Sequence, residues 1–107
     1  MEVLNYALTG GNKTLKQIKS AEKVLLFQAW YTGLVVETAS IEVWVSLAKG
    51  ETFAKVKDAT KTLVSTEGTA YFSLSGVSGY IVEFRLVVPG GTAGVLTKIE
   101  YQNYNAY

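Results

Sequence analysis

The amino-acid sequence predicts an all-β protein, an antiparallel β-sandwich or jelly-roll-like domain of seven to eight short strands. Apolar residues alternate with polar residues in several short runs, and glycine-containing turns separate these runs. No long stretch has the spacing of a convincing amphipathic helix. We expect one sandwich domain over residues 1–107, because this length suits a single two-layer core.

The N-terminal part of the chain contains one clear and one ambiguous element. Residues 3–8 predict a first strand that ends at a glycine-rich turn. Residues 14–19 are compatible with a strand or a single helical turn, because Thr14 and Gln17 have the spacing of a capping box. The sequence leaves this choice open.

Two stronger strand signals follow. Residues 23–31 are rich in β-branched and aromatic side chains, which favours a buried strand. Residues 40–48 show the clearest alternation in this half of the chain, with aliphatic side chains on one face. Trp44 falls on the opposite face of that strand, so we expect it to point away from the core.

The partner of that strand is predicted at residues 52–57. Phe53 and Val56 are three residues apart, so they cannot face the same side of a regular strand. A β-bulge near residues 54–55 would bring them to one side. Residues 63–64 are a candidate for a further short strand.

Residues 68–101 predict three strands joined by two glycine-flanked turns, which we interpret as a meander of hairpin-linked neighbours. In its middle strand Val82 and Phe84 lie on an apolar face, and Glu83 and Arg85 lie on the other. We expect the apolar face to supply much of the core.

Charged side chains of this meander predict its register. An unshifted pairing would place Glu83 opposite Glu100 and Arg85 opposite Lys98, and like charges across a pair are unfavourable. A shift of two residues preserves both faces and pairs opposite charges. We therefore predict a shifted register held by exposed pairs that each contribute about 0–1 kcal/mol.

Composition argues against several function classes. Ten basic and nine acidic residues give a net charge of +1 without any run of like charge, so we expect no nucleic-acid and no membrane partner. The chain has no histidine and no cysteine, which removes the commonest zinc ligands and the commonest general base. Asp58 is the only aspartate. We therefore expect no enzymatic activity, no catalytic residue, no metal and no cofactor.

The first residues lack the basic start and apolar core of a signal peptide, so we expect synthesis and folding in the cytoplasm.

Aromatic residues are the best functional lead. Trp44 and Tyr71 fall on the faces of their strands that carry polar residues, where they are available to stack on a sugar or to anchor a protein. We interpret Trp30 as a residue that covers the second layer or a sheet end rather than one that forms an interface. The predicted interface residues on the strands are therefore Trp44 and Tyr71.

The C-terminal segment, residues 101–107, has a tyrosine at every third position and no charge. Tyrosines flanked by asparagines suit a wet interface with a neighbouring subunit, and the alternative is simple continuation of the last strand. We predict that Tyr104 and Tyr107 contact a partner.

Residues 33–101 resemble a pattern found in small β-sandwich proteins of tailed-phage virions, among them head decoration or cement proteins and tail-associated sandwiches. The stretches that carry the resemblance are IEVWVSL at 41–47, KGETF at 49–53, GYIVEFR at 79–85 and GTAGV at 91–95. The resemblance covers about two thirds of the chain and brings no catalytic residues with it.

This resemblance implies a non-enzymatic virion protein that binds a symmetric lattice of major capsid or tail protein, as a homo-oligomer. The alternative is a carbohydrate-binding module in which Trp44 and Tyr71 form one stacking platform for a glycan. Binding to a glycan array that is lost in Trp44→Ala would favour the second function. Oligomers that are lost on deletion of residues 103–107 would favour the first.

Overall fold

The computed structural model describes residues 2–19, 24–35, 38–46, 52–75 and 81–104. These ranges contain nine strands and one short 3-10 turn at Leu8–Gly10. The strands are β1 (Glu2–Ala7), β2 (Lys13–Lys19), β3 (Val24–Thr32), β4 (Ser40–Ser46), β5 (Phe53–Lys55), β6 (Lys61–Thr62), β7 (Thr69–Ser75), β8 (Ile81–Val87) and β9 (Val95–Tyr104).

All strand pairs are antiparallel and form two sheets. The first sheet has the order β1-β9-β3-β7, and the second has the order β2-β8-β4-β5 with β6 also paired to β4. The number of strands exceeds the predicted seven to eight because two short strands, β5 and β6, both pair with β4. Counted as one interrupted strand, they give two four-stranded sheets, as in a jelly roll. The predicted all-β sandwich is confirmed.

The core lies between the two sheets and centres on three phenylalanines. Phe27 of β3 stacks on Phe84 of β8, with ring centroids 4.0 Å apart and planes 8° apart. Phe72 of β7 meets both rings edge-on, at 6.0 Å and 5.7 Å. Since β3 and β7 belong to the first sheet and β8 to the second, the two contacts of Phe84 hold the sheets together. The predicted apolar face of β8, Val82 and Phe84, is fully buried here.

The predicted meander is wrong. β7 pairs with β3 in the first sheet, β8 pairs with β2 and β4 in the second, and β9 pairs with β1 and β3 in the first. Glu83 and Arg85 therefore belong to the second sheet, whereas Lys98 and Glu100 belong to the first. The predicted pairing of these charges does not occur, because alternation determines which face is apolar but does not determine which strand lies alongside.

The predicted bulge at residues 54–55 is also wrong. Phe53 lies on the outer face of the second sheet, where the Arg85 guanidinium is 5.1 Å from its ring. Val56 packs against the core. The two side chains face opposite sides, as their spacing requires in a regular strand. The chain instead departs from β4 further on, at a turn in which Asp58 has a φ of 60°.

The ambiguous residues 14–19 are part of strand β2. The short strand expected at residues 63–64 is instead Lys61–Thr62, and Leu63 directly after it is fully buried in the core.

Candidate functional site

The two aromatic residues predicted as one platform lie on opposite sides of the sandwich. Trp44 is on β4 of the second sheet, between the buried Val43 and the half-buried Val45. Tyr71 is on β7 of the first sheet, between the buried residues Ala70 and Phe72, and is 49% exposed. Both side chains point outward from their own sheets, so a single glycan cannot stack on both at once.

The two predicted C-terminal residues are only partly within the described chain. Tyr104 is the last residue of β9, and its backbone is opposite Val24 of β3. Tyr107 lies outside the described residues. Their predicted contact with a partner stays a prediction.

The outer face of the second sheet holds Trp44 in a network of polar contacts. The indole Nε1–H of Trp44 donates to Glu42 Oε1 at 3.0 Å, and Lys55 Nζ is 3.1 Å from the other oxygen of that carboxylate. The Arg85 guanidinium lies 4.3 Å from the Trp44 ring centroid, within cation–π range. Since the indole N–H and the ring both have partners within the chain, we interpret Trp44 as part of a rigid surface.

Next to this network, the same face contains a buried carboxylate. Glu83 is 5% exposed, although its strand position predicted an exposed charge. Arg85 Nε donates to Glu83 Oε1 at 2.7 Å, Gln17 Nε2 donates to Oε2 at 2.6 Å, and Thr14 Oγ1 donates to Oε1 at 3.4 Å. Charged and amide donors from β2 and β8 thus satisfy this carboxylate, as a buried charge requires.

The carboxylate of Glu42 offers a test of the network around Trp44. Partial burial raises the pKa of Glu42. Hydrogen bonds from Trp44 and Lys55, together with the positive charges of Lys55 and Arg85, outweigh this effect and lower the pKa below its ordinary value of 4.5. A lowered carboxyl pKa adds stability above the unfolded value, and this stability is lost as the pH falls through the folded pKa. We expect Trp44→Phe, which keeps a ring under Arg85 but removes the N–H, to raise the pKa of Glu42.

The measurement is an NMR titration of the Glu42 side-chain carboxyl in the wild type and in Trp44→Phe. The difference in unfolding free energy between the two proteins should shrink as the solution becomes acidic. An unchanged Glu42 titration would show that the indole N–H does not hold this carboxylate.

The outer face of the first sheet has a different character. Across β7, β3 and β9 the register aligns Tyr71 with Gln28 and Glu100, and in the next row it aligns Trp30 with Lys98. Lys98 Nζ lies 4.4 Å from the Trp30 ring centroid. This surface, which we call the Trp30–Tyr71 face, carries one positive and one negative charge among aromatic and amide side chains.

A shallow depression of about 220 Å³ lies on the Trp30–Tyr71 face. Its lining comes from three neighbouring strands: Leu26, Phe27, Gln28, Trp30, Tyr71, Glu100, Tyr101 and Gln102. Its volume is below the ~300–1,000 Å³ of typical small-molecule pockets. A shallow, aromatic and amide-lined surface of this kind is better suited to docking than to enclosing a small ligand.

Trp30 is the residue that sequence reasoning missed. The sequence predicts a covering residue at this position, because a single tryptophan before a glycine turn does not reveal its neighbours. Its strand alternation contained the signal: Ala29 and Tyr31 are buried on either side of it, which places Trp30 outward. Its proximity to Tyr71 depends on the pairing of β3 with β7, and that pairing was not predictable from local pattern.

Within the described ranges, no group of three or more acidic, histidine or cysteine side chains is arranged to hold a metal ion. The same ranges contain no helix with the length and apolarity needed to cross a membrane. In comparisons with known proteins, no family model, no curated protein and no solved structure matches this chain. The resemblance to tailed-phage virion proteins therefore stays a prediction.

Proposed function

We propose that this chain is a non-enzymatic structural protein of a tailed-phage virion, which docks on a symmetric lattice of capsid or tail protein and stabilises it. The observation that carries the proposal is the Trp30–Tyr71 face, where a half-exposed tyrosine and a tryptophan share one outer sheet surface. The face is formed by the paired strands β7, β3 and β9, so docking requires little reordering of the chain.

The chemistry of this face fits a protein partner. Tyrosine and tryptophan are enriched at protein interfaces, and charged residues are depleted at their centres. Here Tyr71 is flanked by Gln28, and the charges of Lys98 and Glu100 balance each other. Burial of the two aromatic side chains would supply the anchors of the interface, while the amides would supply hydrogen bonds at its rim.

The jelly-roll strand order is compatible with the proposal. Jelly rolls occur in viral capsid proteins and in lectins, so the fold is compatible with both candidate functions and does not distinguish them. The virion as the location, and a capsid or tail protein as the partner, derive from the sequence resemblance.

The test uses particles assembled from a phage genome that encodes this chain, after deletion of its gene. Purified protein is added to these particles, and the bound fraction is measured by co-sedimentation. We expect saturable binding that weakens at least tenfold in Tyr71→Ala, because a central aromatic anchor contributes about 2 kcal/mol or more. Trp44→Ala is the matched control on the opposite face, and it should leave binding nearly unchanged.

Failure of the wild-type protein to bind such particles would overturn the proposed function. Equal losses in Tyr71→Ala and Trp44→Ala would retain docking but overturn the choice of face.

A carbohydrate-binding function is the second candidate. Its stacking platform would be Trp30 with Tyr71, which line one depression, because Trp44 lies on the other sheet. Amide and carboxylate groups of Gln28 and Glu100 border these rings, as in sites where sugar hydroxyls are hydrogen-bonded beside a stacking ring. A glycan array probed with the wild type, Tyr71→Ala and Trp44→Ala would test it. Binding that only Tyr71→Ala abolishes would support a lectin function for this face.

A further inference from the structure

The free edge of β7 is the most unusual surface of the fold. β7 lies at the end of the first sheet and, within the described chain, pairs with β3 alone. Its sequence, TAYFSLS, contains no charge and no proline. Seven consecutive residue pairs join it to β3 without a register shift. A neutral edge strand of this length without a bulge is a template for pairing with another strand.

The other sheet edges carry features that prevent such pairing. β1 carries Glu2 and an irregular register, and β2 carries three lysines and a similar irregularity. The end of β9 that extends past β1 carries Glu100, and Lys16 lies 4.6 Å from the ring of Tyr101 there. The edge made by β5 and β6 is interrupted by the turn at Asp58. Charges and bulges are among the means by which natural sheets protect their edges, and β7 has neither.

A hydrogen bond at the start of β7 shows which of its main-chain groups are available. The Tyr31 N–H donates to the Gly68 carbonyl at 2.9 Å, in continuation of the β3–β7 register. In an antiparallel ladder, residues whose main-chain N–H and C=O groups bond to one neighbouring strand alternate with residues whose N–H and C=O groups point to the opposite side. The residues whose N–H and C=O groups point to the free edge are therefore Thr69, Tyr71, Ser73 and Ser75.

We infer that β7 pairs with β7 of a second copy of this chain, antiparallel and about a two-fold axis. A register centred on Phe72 places Tyr71 opposite Ser73 of the second copy and Thr69 opposite Ser75. Every outward-pointing residue then has a partner, which gives about eight main-chain hydrogen bonds. The two first sheets become one continuous eight-stranded sheet.

A second copy fits this edge for two reasons. A two-fold axis brings a strand against itself, so a charged strand would meet its own charge, and β7 has none. An open groove of about 370 Å³, lined by residues 58–62 and residues 71–74, lies beside the edge, and Tyr71 is 49% exposed there, so this side of β7 is accessible to a second chain. The pairing uses main-chain groups of the edge and does not rest on the proposed virion function.

Hydrogen exchange in the wild-type protein, at low and at high protein concentration, locates the contact. We expect exchange of the Thr69, Tyr71 and Ser73 amides to slow at least tenfold as the concentration rises, because pairing protects them. Exchange of the Ala70 and Phe72 amides, which already bond to β3, should change much less.

Sedimentation equilibrium of Ser73→Pro provides the second test. Proline removes an N–H that points to the free edge, and it leaves the bonds to β3 intact. We expect the dimer dissociation constant to rise at least tenfold, while the matched variant Ser73→Thr keeps the amide and dimerises as the wild type does.

Two results would overturn the inference. One is a wild-type protein that is monomeric at roughly millimolar concentration, with unprotected edge amides, which would leave the edge for a strand of a different protein. The other is a dimer whose protected amides lie away from β7.

Discussion

Phe84→Ala is expected to lower the free energy of unfolding by about 3–5 kcal/mol. Phe84 is fully buried on β8, and its ring stacks on Phe27 and meets Phe72 edge-on. Truncation removes the side chain through which the second sheet contacts both phenylalanine rings of the first sheet, and the surrounding strands cannot collapse freely into the cavity. The loss is a large share of the ~5–15 kcal/mol that stabilises a domain.

Urea denaturation followed by tryptophan fluorescence measures this loss. Phe53→Ala is the matched control, because Phe53 lies on the outer face beneath Arg85 and is only half-buried. We expect it to cost about 1 kcal/mol. If Phe84→Ala proves too unstable to fold, Phe84→Leu leaves a smaller cavity and should cost about 1–2 kcal/mol. Equal losses for Phe84→Ala and Phe53→Ala would contradict the central position of Phe84 in the core.

Local alternation predicted the faces of the strands well. Val82 and Phe84 are buried as expected, and Trp44 and Tyr71 point outward from their sheets. These features follow from the two-residue period of a strand, which any antiparallel arrangement must respect. They are therefore readable from one short stretch of sequence.

Strand partners were not predictable in the same way. A meander and a jelly roll place the same residues of β7, β8 and β9 on apolar faces, so alternation satisfies both. Their difference lies in contacts between distant parts of the chain, such as Phe27 with Phe84 and Gln17 with Glu83. The grouping of Trp30 with Tyr71 depends on the same distant pairing, which is why the candidate site had to come from the structure.

Glu83 provides the sharpest test of the strand arrangement. As an exposed charge in a meander, it would contribute about 0–1 kcal/mol, whereas the structure buries it among donors from Gln17, Thr14 and Arg85. We expect Glu83→Ala to lower the free energy of unfolding by about 1–3 kcal/mol, because Arg85 and Gln17 lose their acceptor. The expected loss is smaller than the loss on breaking a fully buried ion pair, because the Arg85 side chain is 31% exposed and water can solvate it.

A double-mutant cycle with Gln17→Ala isolates the contact between β2 and β8. The two residues lie directly opposite each other, so the cycle should give a coupling energy of about 0.5–2 kcal/mol at neutral pH. A parallel cycle of Glu83→Ala with Lys98→Ala should give no coupling, because Lys98 lies in the other sheet. Coupling of Glu83 to Lys98 without coupling to Gln17 would instead favour the meander and would overturn the placement of β8 in the second sheet.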